Sequence, residues 1–167
     1  MVRLKIQLSI VIENRPGVLT RICDALASHN LNIEGFSAYG ETEHGIVRLI
    51  TDNPDRAADV LADRGFLVTR AEVLSVKLAN RPAGLLRLAR RLADRRINID
   101  YAYGSAAQAG RMATLYLRVA DPRRAAEALA DKGARTPQAS PAEPPRAELA
   151  RPRRKKPPVV RISPRRR

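Results

Sequence analysis

Glu13-Asn14-Arg15-Pro16-Gly17-Val18-Leu19 is a polar turn that ends one alternating apolar run and opens a helical one. Sixty-six positions later the chain reads Ala79-Asn80-Arg81-Pro82-Ala83-Gly84-Leu85, and the same shift carries Leu26-Ala27 onto Leu92-Ala93 and Asn32-Ile33 onto Asn98-Ile99. Between 14 and 34, nine of 21 positions are identical, among them Arg21 and its counterpart Arg87. A second block agrees: Pro54 to Gly65 matches Pro122 to Gly133 at eight of 12 positions, at a shift of 68. The chain is one module written twice, so its function is to be sought in what two copies do together.

The bulk properties narrow the class. In 167 residues there is a single cysteine, Cys23, which rules out a disulfide framework within the chain and a multi-cysteine metal site and suits a reducing, cytoplasmic setting. The first residues alternate instead of forming a continuous apolar segment, so neither a signal peptide nor a membrane span is expected. The net charge of +14 divides unevenly. Residues 137–167 hold ten Lys/Arg against two Glu, together with eight prolines, whereas the first 136 residues hold 21 basic and 15 acidic residues. That proline-rich tail lacks the apolar periodicity to offset its ordering entropy and reads as disordered.

Taken in order, residues 3–12 alternate with Leu4, Ile6, Leu8, Ile10 and Ile12 on one face, the period of a half-buried strand. Pro16 fits the first turn of a helix, and Val18, Leu19, Ile22, Cys23 and Leu26 follow as one apolar stripe that fades near His29-Asn30. Residues 31–36 and 46–51 read as a hairpin turning at Gly40 to Gly45. Asn53 caps a helix that starts at Pro54, carries Ala57, Val60 and Leu61 on its apolar face and stops at Gly65. Residues 66–79 are strand-like throughout and must close the first copy and open the second, with a break expected near Arg70 to Glu72.

The second copy repeats the pattern. A helix is expected over 83–95, strands over 97–103 and 112–119, and a helix over 122–132. Tyr101 and Tyr103 share parity with Ile97 and Ile99 and read as packing residues of that strand. The last strand of this copy is stunted, absent, or replaced by the first strand of another module. Strand-helix-strand-strand-helix-strand, twice, is the split βαβ order of an α+β fold. It predicts two ferredoxin-like βαββαβ modules, residues 1–71 and 72–136, sharing an antiparallel sheet with helices on one face.

These residues carry a resemblance. ENRPGVL followed by LNIEGF, and NRPAGLL followed by INIDYAY, resemble the two copies of tandem ACT-domain proteins, small regulatory modules that bind amino acids. The resemblance covers about residues 4–133 and leaves the tail outside. It implies a ligand site at the turn between first strand and first helix, facing a neighbouring copy across a shared sheet.

The residues of that turn suit the task on their own terms. A helix's first turn offers N–H groups without helical partners and a positive dipole end, which favours a free carboxylate. Gly17 admits a ligand close to the backbone, Pro16 stiffens the turn, Asn14 can donate or accept, and Arg15 can add a charge-assisted contact. The candidate ligand residues are therefore Glu13, Asn14, Arg15, Pro16, Gly17, Val18, Leu19 and Asn32, with Asn80, Arg81, Ala83, Gly84, Leu85 and Asn98 in the second copy. There Ala83 replaces Gly17 and the glycine arrives one place later, so a methyl group would hinder close approach. His29 and His44 fall in loops without partners at metal spacing, and no cofactor is expected.

No catalytic constellation or phosphate loop is visible, so the chain reads as a non-catalytic regulatory protein. Exposed sheet edges make a homodimer plausible. The rival reading is nucleic-acid or polyanion binding, non-specifically, through the basic residues 146–167. The sheet itself is a poor base-stacking platform, since aromatics total 4%.

Overall fold

A computed structural model of the chain describes residues 1–105 and 111–130. The expected tail over 137–167 and the end of the second copy, from residue 131 on, lie outside the described residues. The described residues all belong to one compact unit, Met1–Ala134.

Its elements are β1 (Val2–Glu13), α1 (Val18–Ala27), β2 (Ile33–Gly40), β3 (His44–Thr51), α2 (Pro54–Asp63) and β4 (Leu67–Ala79). The second copy follows with α3 (Gly84–Asp94), β5 (Tyr101–Gly104), β6 (Met112–Arg118) and α4 (Pro122–Ala130). The six strands form one antiparallel sheet in the order β2-β3-β1-β4-β6-β5. This is the expected pair of ferredoxin-like modules on a shared sheet.

The join between the copies differs from expectation. No break occurs near Arg70 to Glu72: β4 runs unbroken for 13 residues, closing the first copy with its first half and opening the second with its last. The first strand does double duty as well. Val2 to Ile6 of β1 pair with Glu72 to Val76 of β4, and Met1 O accepts a hydrogen bond from Lys77 N at 3.0 Å. The start of β1 thus occupies the position beside β4 where a last strand of the second copy would pair. Of the alternatives the sequence left open for that place, a strand of the other module fills it.

Alternation along the strands divides the side chains between two faces. On one face Leu8, Ile10, Val47 and Leu49 pack against Val18, Ile22, Ala25 and Leu26 of α1 and Ala57, Val60 and Leu61 of α2. Leu74, Val76 and Leu117 pack likewise against Leu88 and Leu92 of α3 and Ala125 and Leu129 of α4. Each fully buried leucine or isoleucine contributes about 1.5–3 kcal/mol. Cys23 is exposed, not part of this stripe, because at helical spacing it falls one step past the line through Ile22 and Leu26.

The other face is not left flat to solvent. The sheet's edge strands β2 and β5 come into contact, and between them Gln7, Ile50, Val73 and Tyr116 are buried. A bulge between Ile33 and Gly35 takes Glu34 out of the ladder. Its carbonyl accepts from the Tyr116 hydroxyl at 3.1 Å, and its carboxylate pairs with Lys5 at 2.7 Å. Tyr103 stacks on Tyr116 with ring centroids 5.3 Å apart. The tyrosines therefore do not share a core with Ile97 and Ile99, as parity predicted. Residues 97–100 precede β5, whose strand is only four residues long, and Ile97 and Ile99 pack in the helix-side core instead.

Smaller shifts complete the comparison. The hairpin turn is Glu41–Glu43, tighter than Gly40 to Gly45. Asn53 caps α2 as expected, its side chain accepting from Arg56 N at 3.1 Å, and Gly65 is left-handed at φ 82°.

Candidate functional site

The turn after β1 is built around Gly17. It caps α1 from the left-handed region at φ 86°, and a Cβ placed on it would meet nothing within 4 Å. Pro16 lies ahead of the helix, not in its first turn, because the left-handed cap intervenes. No side chain caps α1. Among the described residues, the N–H groups of Leu19 and Thr20 find no acceptor, while Arg21 N returns to Gly17 O at 3.0 Å. The helix start is thus open, with the bare amides expected of an anion-binding turn.

Asn14 is committed elsewhere. Its backbone N–H donates to Glu43 O at 2.8 Å, its side-chain amide donates to Glu41 O, and it packs on Gly40, so it fastens the turn to the β2–β3 hairpin. Arg15 pairs with Glu13 at 2.9 Å in an exposed ion pair, which contributes little to stability. Val18 is buried in the core and Leu19 is exposed beside the open amides.

A hollow of about 160 Å³ opens next to this helix start, lined by Val11, Ile12, Glu13, Arg15, Val18, Arg21, Gly65 and Phe66. The guanidinium of Arg21 lies 5.1 Å over the Phe66 ring. The second copy has a counterpart of about 260 Å³, lined in part by Lys77, Leu78, Ala79, Gly84 and Arg87. Shifted by 66 these are Val11, Ile12, Glu13, Val18 and Arg21. Met1 and Val2 stand in its wall. Both copies thus keep a hollow between strand end and helix start, with an arginine at the same place. Arg21 and Arg87 were not among the sequence candidates, although their identity across the repeat was a visible signal.

The two helix starts differ at the cap. Ala83 takes the left-handed position at φ 63°, which its methyl group disfavours, while Gly84 is required for packing: a Cβ there would meet Ala79 O at 3.0 Å and Leu78 Cδ1 at 3.3 Å. Asn80 repeats the Asn14 backbone bond, donating to Arg111 O at 2.8 Å, and Arg81 and Leu85 are exposed.

The structure does not bring all these residues together. Asn32 donates its N–H to Asp52 Oδ1 at 3.2 Å at the far end of β3, seven residues or about 23 Å from the turn. Asn98 contacts Asp100 at 3.4 Å, likewise away from the second turn. Nor do the two turns face each other, although the start of β1 from the first copy adjoins the second turn. They lie at opposite ends of β4, on the order of 40 Å apart, because β1 and β4 run antiparallel. What stands opposite the first turn is its own copy's hairpin. On the sheet face away from the helices, Val11, Tyr39, Ile46 and the hairpin residues Glu41 to Gly45 line a larger hollow of about 560 Å³. Exposed Leu67 extends its apolar floor.

Residues 4–135 match the model of the family described as ACT domain pair. The chain belongs to that family. Among solved structures, this ACT domain pair is similar to a protein from Bacteroides thetaiotaomicron at 29% identity, covering 77% of this chain and 88% of that one with a TM-score of 0.72. It also resembles the regulatory subunit of aspartate kinase from Thermus thermophilus in its ligand-free form, at 14% identity, 77% and 94% coverage and a TM-score of 0.56. The corresponding subunit from Thermus flavus gives 16%, 77%, 90% and 0.56. At those identities the aspartate kinase likeness shows the fold alone. A search of curated proteins finds no match. Among the described residues no cluster of three or more His, Cys, Asp or Glu could hold a metal ion, and no helix is long and apolar enough to cross a membrane.

Proposed function

We propose that this ACT domain pair is a non-catalytic, cytoplasmic amino-acid sensor, with modules at 1–71 and 72–136 and a basic tail at 137–167. The observation that carries the reading is the open start of α1: Gly17 unobstructed, the Leu19 and Thr20 amides bare, and Arg21 beside a hollow of about 160 Å³. A carboxylate would take the amides and the helix dipole. The hollow is smaller than the roughly 300–1,000 Å³ of drug-sized sites, which suits a small metabolite.

The missing opposite wall comes from a second chain. The first turn adjoins the apolar row Tyr39, Ile46, Val11 and Leu67, and covering it by a homodimer would set another copy against the site. The ligand then acts by favouring one packing of the two chains over another.

Thermal unfolding with each common amino acid in turn tests this. A ligand at about 100 times its dissociation constant adds roughly 2.7 kcal/mol, several degrees for a domain of this size. Gly17→Val and Arg21→Ala should each abolish the shift while the protein stays folded. A Tm unmoved by every amino acid would overturn the proposal, and retained binding in both variants would move the site elsewhere.

A further inference from the structure

The duplication supplies an internal control on surface charge. Residues 1–71 hold eight Lys/Arg against nine Asp/Glu, whereas residues 72–130 hold eleven against five. The same fold thus carries a balanced surface in one copy and a basic one in the other. The difference is concentrated on the helices. Between 87 and 96 there are five arginines, at 87, 90, 91, 95 and 96; the equivalent stretch 21–30 has only Arg21. Asp24 has become Arg90, Asn30 has become Arg96, and at the shift of 68 Asp55 has become Arg123. Packing does not ask for these changes, because the first copy folds without them.

Arg96 makes the point on the backbone. Asn30 and Arg96 occupy the same left-handed position, at φ 54° and 53°. Asparagine tolerates that region and arginine does so less readily, so the second copy holds an arginine against local preference. The surface is also organised: Arg124 donates to Arg95 O at 2.9 Å, tying the start of α4 to the end of α3. Arg91 reaches Ala128 O at 3.2 Å. Arg90, Arg96 and Arg123 are exposed and make no side-chain hydrogen bond or ion pair among the described residues. Asp94 and Glu127 are the acids on these two helices.

We propose that the α3–α4 face of the second copy binds the phosphodiester backbone of nucleic acid, a role beyond amino-acid sensing. Every cation on these two helices is arginine, whose planar fork matches phosphate oxygens in pairs. The apolar stripe that a membrane-lying helix would insert is already spent on the sheet, with Leu88 and Leu92 buried. Tyr103 and Tyr116 are packed inside the curled face, and neither α3 nor α4 carries an aromatic residue, so this face offers bases no stacking platform, and binding is independent of sequence and steep in salt.

The test compares the full chain with Arg90→Gln/Arg96→Asn/Arg123→Gln and with a control of equal charge loss, Arg3→Gln/Arg56→Gln/Arg64→Gln. Fluorescence anisotropy of labelled single-stranded and duplex DNA is followed against salt. All three proteins keep residues 131–167, so the tail contributes equally. The helix-face variant should lose about two units of the slope of log K against log salt on single strands and nearly three on duplex, and bind at least tenfold more weakly near 0.1 M salt, with its amino-acid response intact. The control should bind within about twofold of the parent. An unchanged slope in the helix-face variant, or an equal loss in the control, overturns the proposal. So does binding to phosphatidylserine vesicles, but not to nucleic acid, through the same three arginines.

Discussion

The side-chain amide of Gln7 donates to the hydroxyl of Tyr101 at 2.6 Å, across 94 residues of sequence, and accepts from the hydroxyl of Tyr103 at 3.0 Å. One fully buried residue of the first strand thus joins the first copy to two of the three tyrosines of the second. Arg48 closes the cluster from β3, its guanidinium 4.2 Å over the Tyr101 ring.

Replacing Gln7 by leucine keeps the volume and removes the amide that both tyrosine hydroxyls bond to. Two half-buried hydroxyls then lose their bonds, a cost of about 1–3 kcal/mol each. Urea denaturation should show a loss of roughly 2–4 kcal/mol. Adding Tyr101→Phe and Tyr103→Phe to Gln7→Leu should recover part of it, because only the Ser9 hydroxyl, which also accepts from the Gln7 amide at 3.0 Å, is then left without its partner. A Gln7→Leu protein as stable as the parent would show that the link is not energetically significant.

Alkaline pH should weaken the fold through the same cluster. Burial above all, with the neighbouring Tyr101 and Tyr116, pushes the Tyr103 hydroxyl well above its ordinary value, against an opposing pull from Arg48. Tyr116 is also raised, by burial and then by the Glu34 carboxylate. The unfolded chain gives up these protons near pH 10 while the fold retains them, so stability is full below about pH 9 and falls as pH rises through 10 towards the folded values. Urea midpoints from pH 8 to 11 should trace that fall, and Tyr103→Phe should make it shallower. An equally steep fall in Tyr103→Phe would clear Tyr103 of the effect.

Gly35 is where the curled face leaves no room. A methyl group there would overlap the Tyr116 ring, which is pinned by its bond to Glu34 O. Gly35→Ala should destabilise by about 1–3 kcal/mol, the usual cost of overpacking. A change under about 0.5 kcal/mol would mean that β2 can move away from β6 freely.

The two helix caps should respond in opposite directions. Gly17→Ala places a methyl group in a left-handed position and should cost about 1 kcal/mol, whereas Ala83→Gly relieves one and should gain about 0.5–1 kcal/mol. Thermal melts of the two single variants check the pair. A loss in Ala83→Gly would show that chain entropy outweighs the strain.

The parts legible in the sequence were those set by local period and cap. β1, α2 and β6 follow from alternation, from Asn53 before Pro54, and from Gly65. The curled face was not legible, because it depends on sheet twist bringing β2 against β5, and no local pattern around Tyr101 encodes that. Residues 97–100 alternate like a strand but lie beyond the paired segment, which reversed the side assigned to the tyrosines. At the candidate site the Gly17 turn was readable from its residue types, and Arg21 was overlooked because a helix arginine looks like any solvated charge. That Asn14 would be held by the hairpin required knowing that Glu41 and Glu43 lie beside it.

Because a single twelve-residue strand finishes both halves of the sheet, neither half is a separable unit of inheritance. A recombination event or protease cut between the repeats would leave the downstream piece without its neighbour, and an exchange of one repeat for a relative's would carry part of the other's core away with it.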